Sequence, residues 1–159
     1  MLHRNQMQAW GDLHRFAGKF FSGAPAFATG ASEGMMIARK RKHKPASGLP
    51  HPPALYERDR EWTNGLDAWH LVAMHAICAQ AKSFLLAVAI LEQEHPESPF
   101  QDLSKAIDAS RVEEEFQISN WGMVEGGHDY DRLNCSVQLR AAQLLIKAIA
   151  IDNSFARRK

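Results

Sequence analysis

Two tetrads, Glu92-Gln93-Glu94-His95 and Glu125-Gly126-Gly127-His128, carry the Glu-x-x-His spacing with which helical di-metal carboxylate proteins hold their ions. That chemistry needs both pairs on rigid helical turns. Pro96 directly follows the first tetrad and two glycines interrupt the second, so both fall at helix ends and no metal site is expected. His70 and His75 are five residues apart, which points them away from one another on a helix, so they are no zinc pair. Cys78 and Cys135 each lie in an apolar helical run and read as buried thiols rather than a disulfide. Neither a nucleophile elbow, a phosphate-binding glycine loop nor a dinucleotide fingerprint occurs. The expectation is a binding protein without a cofactor, not an enzyme.

Chemistry of recognition is concentrated between Ser110 and Asp129, in Ser-Arg-Val-Glu-Glu-Glu-Phe-Gln-Ile-Ser-Asn-Trp-Gly-Met-Val-Glu-Gly-Gly-His-Asp. At about 100° per residue, Val112, Phe116 and Met123 share one helical face and are expected on the core. Ile118 and Trp121 lie opposite, bordered by Glu114 and Glu125. An indole and an aliphatic side chain edged by carboxylates suit a protein interface. A plain amphipathic helix with a solvated acidic face is the simpler reading of the same pattern.

Three helical regions must position these groups. The first, residues 66–94, is apolar around much of its circumference through Trp69, Val72, Ala73, Ala76, Ile77, Phe84, Leu85, Val88 and Leu91, with a bend expected at Ala81-Lys82-Ser83. The second runs from Asp102 through Val124 and is expected to stop at Gly126-Gly127. The third starts near Asp129, a capping carboxylate, and ends near Ile151. Leu133, Val137, Ala141, Leu144, Leu145, Ala148 and Ile151 are its expected packing face. The fold class is all-α: a small domain of three main helical regions with a flexible basic N-terminal extension.

The run Ser110–Gln117, followed by Trp121-Gly122 and Val124–Asp129, resembles the signature of ATP synthase F₁ complex assembly factor 2, a mitochondrial chaperone family. The similarity extends through Leu66-Asp67-Ala68-Trp69 and Ala81-Lys82-Ser83-Phe84 to Gln138–Ala142, covering residues 46–150, the family's helical C-terminal half. Usual members carry a largely β domain ahead of that half, with no counterpart in residues 1–45, and a shorter link at Glu92–Phe100. The resemblance implies a mitochondrial matrix chaperone that binds the free α subunit of F₁ and limits its aggregation until β pairs with it. Isolated subunits of obligate rings expose large apolar patches, so such shielding has a physical need. The client-binding residues it suggests are Glu114, Gln117, Ile118, Trp121, Glu125, Asp129 and Lys82.

Composition sets the remaining bounds. The 159 residues suffice for one domain, and the longest apolar run, Phe84–Leu91, is too short to span a membrane. Residues 1–55 hold eight basic against two acidic side chains, a charge of +6, which leaves −5 for the rest. This basic, acid-poor beginning, with Leu2, Trp10, Leu13, Phe16, Phe20 and Phe21, fits a targeting segment, and residues 1–21 can form one amphipathic helix. The division expected is a disordered or targeting segment at 1–45, a Pro-rich approach with a short helix at 46–65, the helical chaperone domain at 66–151 and a basic tail at 152–159. The cluster Arg39–Lys44 lacks interleaved aromatics, so no specific nucleic acid is expected, although a helical adaptor docking through its basic front on nucleic acid or an acidic partner is the alternative function. The chain is expected to act as a monomer.

Overall fold

The computed structural model describes residues 1–21 and 53–156. Among them lie seven helices: α1 (Leu2–Phe20), α2 (Pro53–Asn64), α3 (Ala68–Ala81), α4 (Phe84–Leu91), α5 (Leu103–Ser110), α6 (Val112–Trp121) and α7 (His128–Ala156). No strand occurs among the described residues, in accord with the all-α expectation. The glycine-rich stretch 22–34, the cluster 39–44, the prolines at 45, 50 and 52 and the last three basic residues lie outside the described residues.

The long first region breaks where its sequence allows. Asp67 caps α3, its carboxylate accepting from the backbone N–H groups of Trp69 and His70. Lys82 ends α3 in the left-handed conformation (φ 52°), and Ser83 caps α4 by accepting from the Leu86 amide at 3.3 Å. The resulting turn separates two helices that a straight rod would have kept in line. α4, Phe-Leu-Leu-Ala-Val-Ala-Ile-Leu, is apolar all round and therefore central, with Leu86 through Ile90 buried. α1, α3, α5 and α7 pack against it.

α1 is a structural part of the domain. Leu13, Phe16, Ala17 and Phe21 are buried in the common core, and Phe20 lies edge-on to Trp62 of α2. Over residues 2–20 the expected disorder is therefore replaced by a docked helix, because one apolar face finds α4 to cover. The short helix expected within 46–65 is α2, with Leu55 buried.

The second region begins as expected, with Asp102 as the cap of α5, but departs from expectation in its middle and at its C-terminal end. Ser110 Oγ donates to the Ile107 carbonyl at 2.7 Å, and the chain turns at Arg111, dividing α5 from α6. α6 then stops at Gly122 (φ +87°), four residues before the glycine pair, because that backbone conformation is open to glycine alone. Val112 and Phe116 are only half-buried and Met123 is exposed, so the expected core stripe is a covering surface.

The third region is reversed. α7 packs most extensively on α3 through Cys135, Leu139 and Ala142, with Leu145 and Ile146 beside them. Of the packing face expected from sequence, only Leu145 lies against the core, while Leu133, Val137, Ala141, Leu144, Ala148 and Ile151 are exposed. Trp69 and Val72 of α3, also expected inside, are likewise exposed.

Candidate client-binding surface

The acidic run of α6 is a clasp. Glu113 Oε1 accepts from Gln6 Nε2 of α1 at 2.8 Å, and nearby Trp10 Nε1 donates to the Ala109 carbonyl at 2.9 Å. Glu114 Oε1 lies 2.5 Å from Nη2 of Arg111, whose side chain is 5% exposed. Glu115 binds Arg132 of α7 at 2.7 Å and reaches Arg111 Nε at 3.5 Å, within ion-pair range but without a hydrogen bond. The three consecutive glutamates thus tie α1, the α5–α6 joint and α7 together. Their place in the first turn of α6 also suits the positive end of that helix.

Beside this clasp lies an open cleft of about 1040 Å³. Trp10 and His14 of α1, Tyr56 and Asp59 of α2, the Lys82-Ser83 turn, Glu114 and Gln117 of α6, and His128 and Asp131 of α7 line it. Lys82, Glu114 and Gln117, far apart in sequence, are brought to one cleft. Lys82 and Gln117 are exposed there, whereas Glu114 is engaged by Arg111.

The other expected residues stand outside the cleft. Trp121, 78% exposed, ends α6; Glu125 lies exposed in the connecting turn, and Asp129 in the first turn of α7. Asp129 stands inside the first turn of α7 rather than ahead of it, and the turn that leads into the helix is tied by the Val124 amide, which donates to His128 Nδ1 at 3.1 Å. Ile118 is half-buried. The exposed set is thus Gln117, Trp121, Glu125 and Asp129, with Lys82 at the cleft.

Arg111, Gln6, Trp10 and Asp59 escaped the sequence reading. Arg111 had a local signal, standing three and four residues before Glu114 and Glu115. Asp59 had none: its Oδ1 is buried with no hydrogen-bond partner, and burial pushes its carboxyl up to about 6. A folded-state value above the unfolded 3.8 means that the stability it contributes is fully present below 3.8 and lost as pH rises through 6. Asp59→Asn should therefore raise Tm at pH 7.5 by roughly 2–4 °C, about 1 kcal/mol after discounting for partial exposure, and barely at pH 4. Equal gains at both pH values in thermal melts would refute this account.

The Glu-x-x-His tetrads do other work. Glu92 accepts from Trp62 Nε1 at 3.1 Å, and His95 packs against Phe16 and Phe20. His70 pairs with Asp67 at 2.8 Å, while Cys78 and Cys135 are free thiols, that of Cys78 raised by burial. Among the described residues, no three His, Cys, Asp or Glu side chains gather as metal ligands would. None of the described helices is long and apolar enough to cross a membrane.

The chain matches no family profile. It is 27% identical over 94 residues to mitochondrial protein atp12 of Schizosaccharomyces pombe, a match covering 59% of this chain and 30% of that one. Against mitochondrial ATP12 of Saccharomyces cerevisiae it is 24% identical over 90 residues, covering 54% and 28%. The chain thus spans less than a third of the length of these curated relatives. Its fold is similar to the crystal structure of Atp12 from Paracoccus denitrificans, with a TM-score of 0.68 and 20% identity, over 92% of this chain and 53% of that one. Sequence similarity over more than half of the chain, together with a shared fold over nearly all of it, agrees with the resemblance carried by Ser110–Asp129: the chain is similar to the Atp12 proteins in sequence and in fold.

Proposed function

We propose that this chain is an assembly chaperone of the mitochondrial matrix that holds the free α subunit of the F₁ sector of ATP synthase and prevents its aggregation before it pairs with β. The observation that carries the reading is Trp121, an indole left 78% exposed at the end of α6, with the exposed polar residues Gln117, Glu125 and Asp129 within eight positions of it in the sequence. An exposed indole contributes nothing to the core, and indoles edged by polar groups are frequent anchors of protein interfaces. The mitochondrial names of the two yeast relatives and the basic, acid-poor front of this chain support the location. Lys82 and Gln117 extend the contact into the cleft, and Glu125 and Asp129 meet polar or cationic groups of the client. The protein acts by reversible binding as a monomer, without cofactor or catalysis. A contact of moderate, partly polar character lets β displace the chaperone.

The test is co-expression with the α subunit, followed by pull-down and light scattering of α on warming. Wild-type chain should retain α and suppress its scattering. Trp121→Ala should weaken capture at least about tenfold, as loss of an interface anchor does, with Tm unchanged. Failure of the wild-type chain in both assays would refute the proposal.

A further inference from the structure

α7 has two apolar faces and uses one. Tyr130, Leu133, Val137, Ala141, Leu144 and Ala148 recur at intervals of three or four residues, and all are exposed. This stripe lies roughly 160° around the helix from the buried line of Cys135, Leu139 and Ala142. It runs about 27 Å along one straight element, a shape that suits a second helix better than a point contact. Ala141 and Ala148 alternate with larger side chains, leaving holes into which a partner's side chains can pack.

Charge indicates which helix fits. Arg140 and Lys147, both exposed, border one side of the stripe. An antiparallel second copy would set these cations against their own equivalents, and a parallel copy would bring Glu125, Asp129 and Asp131 together at the acidic end of α7. Self-pairing is therefore disfavoured in both directions. An acidic flank on a different chain would be attracted along the same line.

We infer that the outward face of α7 is a second docking surface, taking an amphipathic helix of the client whose apolar stripe is bordered by acidic residues facing Arg140 and Lys147. This rests on the α subunit of F₁ being the client. A chaperone that grips at both Trp121 and α7 gains affinity from two modest contacts, each of which β can displace in turn.

The experiment uses the full chain with purified F₁ α subunit as probe, in Leu144→Glu and in the charge-reversed pair Arg140→Glu/Lys147→Glu, with melting and sedimentation of each. Because these side chains are exposed, both variants should melt like wild type. Leu144→Glu should weaken capture at least about tenfold. The charge-reversed pair should weaken it severalfold and lose the salt sensitivity that wild type is expected to show between about 50 and about 300 mM. Capture by wild type that both variants share in full overturns this inference and leaves the chaperone reading standing. Absence of capture by wild type overturns that reading and this one with it. A wild-type dimer that Leu144→Glu dissolves overturns the inference in favour of a second copy.

Discussion

Deletion of residues 1–21 should abolish the cooperative thermal transition of the protein and leave a helical but dye-binding state. Leu13, Phe16 and Phe21 are at most 5% exposed, and each such side chain contributes about 1.5–3 kcal/mol by leaving water. Together they supply roughly 5–9 kcal/mol, against a total stability of about 5–15 kcal/mol for a domain. The polar ties add to this: Gln6 to Glu113, Trp10 to the Ala109 carbonyl, and the exposed Lys19–Glu97 pair, which counts for little. Removal of α1 would also uncover α4, whose eight residues are all apolar. Circular dichroism, a hydrophobic dye and limited proteolysis would report the outcome together. A truncated chain that still melts sharply within about 5 °C of wild type would show that these residues are a detachable appendage, as their composition alone suggested. If they also direct import, the helix must stay on the protein afterwards.

Glu114→Ala is expected to cost about 2–4 kcal/mol, roughly 5–15 °C in Tm, which is more than Arg111→Met should cost. The reason is asymmetry. Removing Glu114 strands a buried guanidinium, left with Glu115 at 3.5 Å as its nearest anion. Replacing Arg111 by methionine removes the buried charge and fills its volume, and the glutamates, less buried than Arg111, can be solvated. Urea melts of the two variants and of the double variant Arg111→Met/Glu114→Leu would give the order, with the double variant closest to wild type. A Glu114→Ala protein within about 2 °C of wild type would refute the clasp. The result bears on function because Glu114 is also a candidate client contact. Weaker α-subunit capture by this variant would have to be read against its lost stability, whereas Gln117, Trp121 and Glu125 can be tested at constant Tm.

The parts of the fold that were legible rest on local physics. α2 was readable as the short helix after the Pro-rich approach within 46–65, and the break at Lys82-Ser83 as the bend expected at Ala81-Lys82-Ser83. Trp121 was correctly assigned outward because it opposed Val112 and Phe116, although that supposed core face proved only half-buried. Glu114 was the weaker inference. Its spacing from Arg111 predicts the pair, but the depth at which Arg111 sits depends on α1 and α7 covering it, and no local pattern gives that depth.

Composition and periodicity by themselves determined the all-helical character of the described residues and the centrality of Phe84–Leu91. Tertiary structure decided which apolar face of α7 turns inward. Leu133, Val137, Ala141 and Leu144 form the bulkier stripe, so hydrophobicity ranks it first, yet the line of Cys135, Leu139 and Ala142 is the one buried. That line belongs to the face of α7 that packs on α3, whose own buried residues are Ala73, Ile77 and Ala81, so that on each helix one large side chain, Leu139 or Ile77, is set among small ones. Complementary shape between two helices is a property of the pair, which is why one helix's periodicity could not reveal it.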